Sequence, residues 1–503
     1  MKILRLAVLA AAALLSLETV AHAQSTLRIG LAEDPDILDP TMGRTYVGRI
    51  VFASFCDKLF DIDDKLNIVP QLALSHETSA DGKEMTIKLR PGVKFHDGEA
   101  FDAEAAKYSL ERHITMQGSF RKPELATVDR VDVVDPLTIK LVLKTPFSPL
   151  IAQLTDRAGM MVSPKAAKEA GDKFGLKPVC AGAYKFVERV QQDRIVFEKF
   201  ADYWNKGNVQ IDRVMFLPIV DATVRLANLK SGALDLIERV LATDIKDVRA
   251  DSRIKLSTAL ELGYFGLTIN VNKDKNKGAL SQSEKVRQAL SLSVDREALT
   301  QVVFNGEFVP GNQWVSPEHP YYQKAFPVPK RDIARAKALL KESGATLPVT
   351  VDMMVTKGAE NEAVAQVIQS MAAEAGFDLK IRLIEFATSF KQAQAGEFQA
   401  FLIGWSGRID PDGNSYIFMR SNAPSNDGGY SNPEADKLMD DARLITDPAQ
   451  RKAIYEKLTK IVLNDAPLIY LYHRKLLIAH ATKLEGYRQM PDGLVRVIGL
   501  KLK

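Results

Sequence analysis

The 503-residue chain has two cysteines, three tryptophans and no real excess of either charge: 67 Lys and Arg against 63 Asp and Glu leave a formal net charge of +4. So mild a balance, with no dense basic run, gives no footprint for nucleic acid. Cys56 and Cys180 lie too far apart in sequence to complete a zinc site alone. Their even count leaves a disulfide or two separate buried thiols open. Beyond the N-terminus, no apolar stretch reaches the roughly 20 residues of a membrane span. Catalytic signatures are missing as well. Gly404-Trp405-Ser406-Gly407-Arg408 lacks the closing glycine of the Gly-x-Ser-x-Gly elbow. Neither a phosphate loop nor a dinucleotide fingerprint occurs. The histidines at 76, 96, 113, 319, 473 and 480 are scattered, with no His-Glu-x-x-His pair. The one conceivable metal cluster, His96-Asp97-Gly98-Glu99, reads as a turn before a helix. The expectation is a protein without catalytic residues, cofactor or metal.

What is present begins at the N-terminus. Lys2 and Arg5 precede an apolar core from Leu6 to Leu17, and Ala21-His22-Ala23 is a small-x-small cleavage site. Residues 1–23 therefore read as a secretory signal peptide, and no cysteine follows to carry a lipid. The product is expected to be soluble in an oxidising compartment, where a disulfide persists. The length allows two or three domains.

Patterning gives an α/β chain. Strands are expected at Leu27–Leu31, 84–90, 213–219 and 265–270, with hairpins at 131–144 and 184–200. Helices are expected near 47–59, 103–112 and 223–230, and one long helix is marked by Val286, Leu290, Leu299, Val302 and Val303. Residues 348–386 read strand–helix–strand, which implies parallel strands with a right-handed crossover. Two amphipathic helices precede one apolar strand at 468–480.

The stretch GWSGRIDPDG, 404–413, ends a buried strand in charge. Asp-Pro and Asp-Gly are turn formers, so a turn accounts for it locally. A second reading gives one of its carboxylates to a ligand.

Five ordered stretches together carry more than any one alone. LNIVPQLALSHETSADGKEMTIKLRPGVKFHDGEAFDAEAAKYSLER (66–112), AYKFVERVQQDRIVFEKFADYW (183–204), EKVRQALSLSVDREAL (284–299), GWSGRIDPDG with GYSNPEADKLMDDAR (429–443), and NDAPLIYLYH (464–473) resemble the family 5 extracellular solute-binding proteins. These are the dipeptide- and oligopeptide-binding components of ABC importers. The resemblance implies a two-lobed periplasmic-binding-protein fold of type II, with an extra β-rich subdomain inserted in lobe one. Lobe one would comprise 24–58, 178–262 and 483–503, the insertion 59–177 and lobe two 263–482. It implies a monomeric periplasmic protein that captures a peptide or peptide-like solute and delivers it to an inner-membrane ABC permease. A non-peptide solute (an opine, a sugar-containing compound or a metal chelate) is the alternative, and an exported hydrolase a distant third. Ligand-binding roles would fall to Asp410, matched to the aspartate that holds a peptide ammonium, and to Trp405 as a wall. Arg408 would pair with Asp410 or Asp412, or reach a ligand carboxylate. Lys357, Asn270 and Tyr46 would line the cleft. Cys56 and Cys180 would both lie in lobe one, where a bridge would brace it without locking the hinge.

Overall fold

Alternating and β-branched segments build three large sheets and two two-stranded ones in the computed structural model, which describes residues 24–503. The signal-peptide reading falls on residues 1–23, outside the described residues. Lobe one is a seven-stranded sheet in the order Ile254–Leu260, Lys475–Ala481, Leu236–Ile237, Thr26–Leu31, Arg213–Pro218, Arg194–Lys199, Tyr184–Val190. Thr26–Leu31 pairs in parallel with both of its neighbours. Against this sheet lies the helix Tyr46–Phe55, capped by the Thr45 side chain on the Gly48 amide. Its Val47, Ile50, Val51, Phe52 and Phe55 are fully buried, as expected of a helix apolar nearly all round.

Lobe two is a six-stranded sheet: Val309–Pro310, Leu468–His473, Tyr264–Ile269, Ala400–Trp405, Val349–Thr356, Phe377–Ile384. Val349–Thr356 and Phe377–Ile384 pair in parallel across the helix Ala359–Ala373, as their patterning predicts. The insertion is a four-stranded antiparallel sheet with its own core, including Leu59, Ile87, Phe95, Leu110, Ile139 and Met161.

Three expectations need correction. The apolar run 468–480 is two strands, not one. Leu468–His473 belongs to lobe two and Lys475–Ala481 to lobe one, so lobe two ends near residue 473 rather than 482. Both halves are apolar strands buried in sheets, and the one mark of the change is the polar triplet His473-Arg474-Lys475, which a single strand could also carry. The insertion ends near residue 161 rather than 177, because Val162, Ala167 and Phe174 pack into the lobe-one core. The long helix around 286–303 is two helices, Glu284–Ser293 and Arg296–Phe304, parted where the Asp295 side chain caps the second at the Ala298 amide.

The chain crosses between lobes at 261–263 and again at Arg474, and the crossings are tied together. Glu261 N donates to Arg474 O at 2.9 Å. The His473 Nδ1 lies 2.7 Å from Gly263 O. Two short, mutually bonded crossings form a hinge. The lobes are closed on one another: the Ser148 amide of the insertion donates to Arg443 O of lobe two at 2.8 Å.

The bridge is made. Cys56 and Cys180 form a disulfide with Cα atoms 5.0 Å apart. Both side chains are buried in the lobe-one core.

Candidate functional site

The strand Ala400–Trp405 runs antiparallel to Tyr264–Ile269, which sets Trp405 opposite Tyr264 beside the hinge. The turn that follows packs on the hinge backbone. Gly407 has φ +78°, and a Cβ there would lie 2.3 Å from Gly263 N. Asn414, fully buried, organises the turn. Its Oδ1 accepts from Trp405 Nε1 at 3.0 Å and from Arg408 N at 2.7 Å. The turn reading of GWSGRIDPDG holds as far as Pro411, through Gly407 and through Asp410, whose Oδ1 accepts from the Asp412 amide at 2.9 Å, but Asp412-Gly413 opens the helix Asp412–Met419 and makes no turn.

Its charges go to three different partners. Asp410 is gripped by both terminal nitrogens of Arg451, at 2.6 and 2.7 Å. Asp412 is held by Nε and Nη2 of Arg443, at 2.6 and 3.0 Å. Arg408 pairs with neither, contrary to the intramotif pair expected. It lies over the Trp405 ring, 4.5 Å from the centroid, and its Nε reaches Asp156 of the insertion at 2.9 Å. The residue of this turn that crosses to the other lobe is therefore a cation, and the matched carboxylate faces Arg451 on its own lobe.

Arg408 enters a buried cluster. Arg49 Nε lies 3.1 Å from Asp156, and Arg157 Nε 3.8 Å from it. Arg121 pairs with Glu124 at 2.6 Å. Burial alone would raise the Asp156 carboxyl, but Arg49, Arg408, Arg157 and Arg121 together hold it well below the usual range. Burial, with Arg49 next, pulls the Arg408 guanidinium down to about 10.

A second charged group lies on lobe one beside Tyr46, whose hydroxyl donates to Gly493 O at 3.0 Å. The Arg239 guanidinium sits 5.4 Å from the Tyr46 ring centroid and pairs with Glu33 at 2.8 Å. Arg239 itself adopts φ +51°, a strained backbone for a non-glycine residue. Glu238 uses Oε1 to accept from the Ala32 amide at 2.8 Å, while its Oε2 has no hydrogen-bond donor. Burial raises the Glu261 carboxyl, against Arg474, Arg239 and Arg49. Burial also raises the Tyr46 phenol, helped by Glu238 and Glu261.

Two candidates sit elsewhere. Asn270 is fully buried, and its amide donates to Gly396 O at 2.9 Å and Phe398 O at 3.1 Å, so it closes a strand end. Lys357 is exposed and pairs with Glu385 at 2.9 Å. The structure thus brings together Trp405 and Arg408, sets Tyr46 in the second group, and adds Arg49, Arg121, Asp156, Arg157 and Glu238. No local pattern marks those five, because they are isolated charges on four separate segments. His96 is engaged by Gly182 O at 3.1 Å, and burial lowers its imidazole to about 4. Among the described residues no group of His, Cys, Asp or Glu is arranged to hold a metal.

Two α/β lobes, a double crossing and a charged seam where they meet define a hinged solute-binding protein. Residues 67–427 match the family described as bacterial extracellular solute-binding proteins, family 5 middle, and the chain belongs to that family. It is 31% identical over 469 residues to the glutathione-binding protein GsiB of Pectobacterium atrosepticum, covering 91% of this chain and 90% of that one. Among solved structures it resembles the A. tumefaciens R10 binding protein AgaA in complex with agropinic acid (TM-score 0.85, 27% identity, 95% of this chain and 99% of that one). It also resembles the Bacillus subtilis oligopeptide-binding protein AppA in complex with a nonapeptide (TM-score 0.84, 25% identity, 95% and 99%). The chain is a solute-binding component of an ABC importer. No described helix is long and apolar enough to cross a membrane.

Proposed function

We propose that this protein works as a periplasmic monomer that closes its lobes on a small peptide or peptide-like solute and presents it to an inner-membrane ABC permease. It does no covalent chemistry and engages no nucleic acid. The observation that carries the reading is the meeting of Arg408 from lobe two with Asp156 from the insertion, over the Trp405 ring. Closure itself assembles this seam, so a solute bound there biases the open–closed equilibrium by its greater affinity for the closed form. The relative named for glutathione supports a short peptide. Trp405 supplies an aromatic wall, and Tyr46 another beside Glu238 and Arg239. Asp410 enters this reading as the residue that fixes the turn through Arg451.

The test is calorimetric titration of protein stripped of co-purified solute by unfolding and refolding. The panel is glutathione, dipeptides to pentapeptides, and an opine. Micromolar or tighter binding of a peptide is the expected result. An opine reading is favoured by one observation, the cation at 408 in place of a free carboxylate, and by the likeness to AgaA. Binding of the opine with no response to any peptide would replace the peptide reading with that one.

A further inference from the structure

The seam has an unbalanced charge. Four guanidiniums, those of Arg49, Arg121, Arg157 and Arg408, gather around two carboxylates, Asp156 and Glu124. Arg49, Arg121 and Arg157 are 4%, 4% and 2% exposed. Taken as formal charges, four against two leave a surplus of +2. Buried atoms without a hydrogen-bond partner remain on both sides: the donors Arg49 Nη1, Arg121 Nε and Arg157 Nε, and the acceptors Asp156 Oδ2 and Glu124 Oε2. Arg157 places Nη1 on Gly43 O at 2.7 Å, which fixes its plane and leaves Nε turned toward Asp156. The cluster draws on every body that meets at the cleft. Arg49 comes from the lobe-one helix, Arg121 and Arg157 from the insertion, and Arg408 from lobe two. Like charges buried together without enough counter-charge are costly. Removing Arg408 from the group, as lobe opening does, relieves part of that repulsion.

We infer that this arginine cluster is the subsite for a carboxylate of the solute, so that the physiological ligand is an acidic peptide or peptide-like acid whose negative charge completes the seam. Guanidinium donors match carboxylate oxygens in planar, charge-assisted pairs. The charge deficit also makes closure conditional. A solute without an anionic group leaves the repulsion in place and favours the open form. One with a carboxylate there supplies the missing counter-charge only when Arg408 has arrived. This rests on the proposed solute-binding role of the same cleft and names its substrate class.

The experiment uses stripped full-length mature protein and three probes: glutathione, glutathione diethyl ester and glutarate. The ester keeps the ammonium and the peptide groups but masks both carboxylates. Glutathione is expected to bind at least tenfold more tightly than its diester. Glutarate at millimolar concentration is expected to raise the melting temperature of the wild type but not of Arg408→Met. Arg121→Met, which keeps the Asp156 bridge, serves as a second variant and is expected to weaken glutathione at least fivefold. Equal affinity for glutathione and its diester would overturn the anion subsite while leaving peptide binding intact. Stabilisation by glutarate with no response to glutathione would keep the subsite and sink the peptide reading. Folded wild-type protein that responds to neither probe would overturn the subsite.

Discussion

Arg408 and Asp156 lie on opposite sides of the cleft, 252 positions apart in the chain (408 − 156), and their side chains meet at 2.9 Å with 12% and 6% exposure. Each is held by its own body: Arg408 by the Trp405 ring and Asn414, Asp156 by Arg49. The pair is thus a contact of the closed form. A double-mutant cycle of Arg408→Met and Asp156→Asn, read by calorimetry on the co-purifying solute, should show coupling of at least about 1.5 kcal/mol. The variants should also give a larger radius of gyration in small-angle scattering. Strictly additive losses with an unchanged radius would remove the pair from the closing mechanism.

Asp410 has a different expected phenotype. Its grip on Arg451 is bidentate, with 12% and 5% exposure, so Asp410→Ala leaves a buried guanidinium unpaired. Such a break costs about 3–5 kcal/mol. Denaturant unfolding should show this loss, with solute affinity below the melting range changed less than threefold. The double variant Asp410→Ala, Arg451→Met should recover much of the stability. Full stability with affinity lost a hundredfold would instead give Asp410 the ammonium-holding role that the family resemblance implies.

The turn can be probed through its glycine. Gly98 and Gly407 both have positive φ, but a Cβ at Gly98 meets nothing, whereas one at Gly407 meets the backbone of Leu262 and Gly263. Gly98→Ala reports conformational strain alone, on the order of 1 kcal/mol. Gly407→Ala should lose clearly more and should lower solute affinity, because the turn rests on the hinge. Equal losses in the two variants would mean that the hinge yields freely.

A pH effect follows from Asp57, which is buried and accepts from Tyr203 Oη at 2.9 Å and Trp204 Nε1 at 2.8 Å. Burial outweighs these bonds and pushes its carboxyl from 3.8 to about 7. The folded state therefore binds this proton more tightly than the unfolded chain. Its contribution to stability is complete below about pH 4 and is lost as pH rises through about 7. Asp57→Asn keeps an acceptor for both donors and does not titrate. Between pH 5 and 8 the melting temperature of the variant should gain on that of the wild type. Parallel curves would show that Asp57 is ionised throughout.

Reduction should cost stability without touching the site. The bridge closes a 124-residue separation, for which loop-closure entropy gives about 4–5 kcal/mol. Both cysteines belong to one rigid lobe, so dithiothreitol should lower the melting temperature while leaving solute affinity within twofold. A large change in affinity on reduction would link the bridge to the hinge.

Sheets and most helices were legible because each reports on itself: the alternation in Glu84–Leu89 or Val349–Thr356 is a local record of one buried face. The crossing at Arg474 was not, since the strands on either side of it are both buried and apolar. Nor was the break between Ser293 and Arg296, where apolar spacing runs on through a capping aspartate. In the site, Trp405 and Arg408 could be singled out from one charged turn. Their partners could not: Asp156, Arg49 and Arg451 are brought to that turn by three separate packing events, and no periodicity records a pairing across such distances.

The disulfide has a further consequence that lies in chronology. Cys56 stands just before the insertion and Cys180 beyond its end, and the four strands Ala73–Thr78, Glu84–Leu89, Val128–Asp135 and Thr138–Leu143 all lie between them. Once oxidised, that part of the chain is a covalent ring. A ring cannot close before its later end has emerged, so a chain delivered from its N-terminus can assemble the whole four-stranded sheet before the second thiol arrives. The bond then acts as a seal set after assembly, holding the finished subdomain at a doorway 5.0 Å wide.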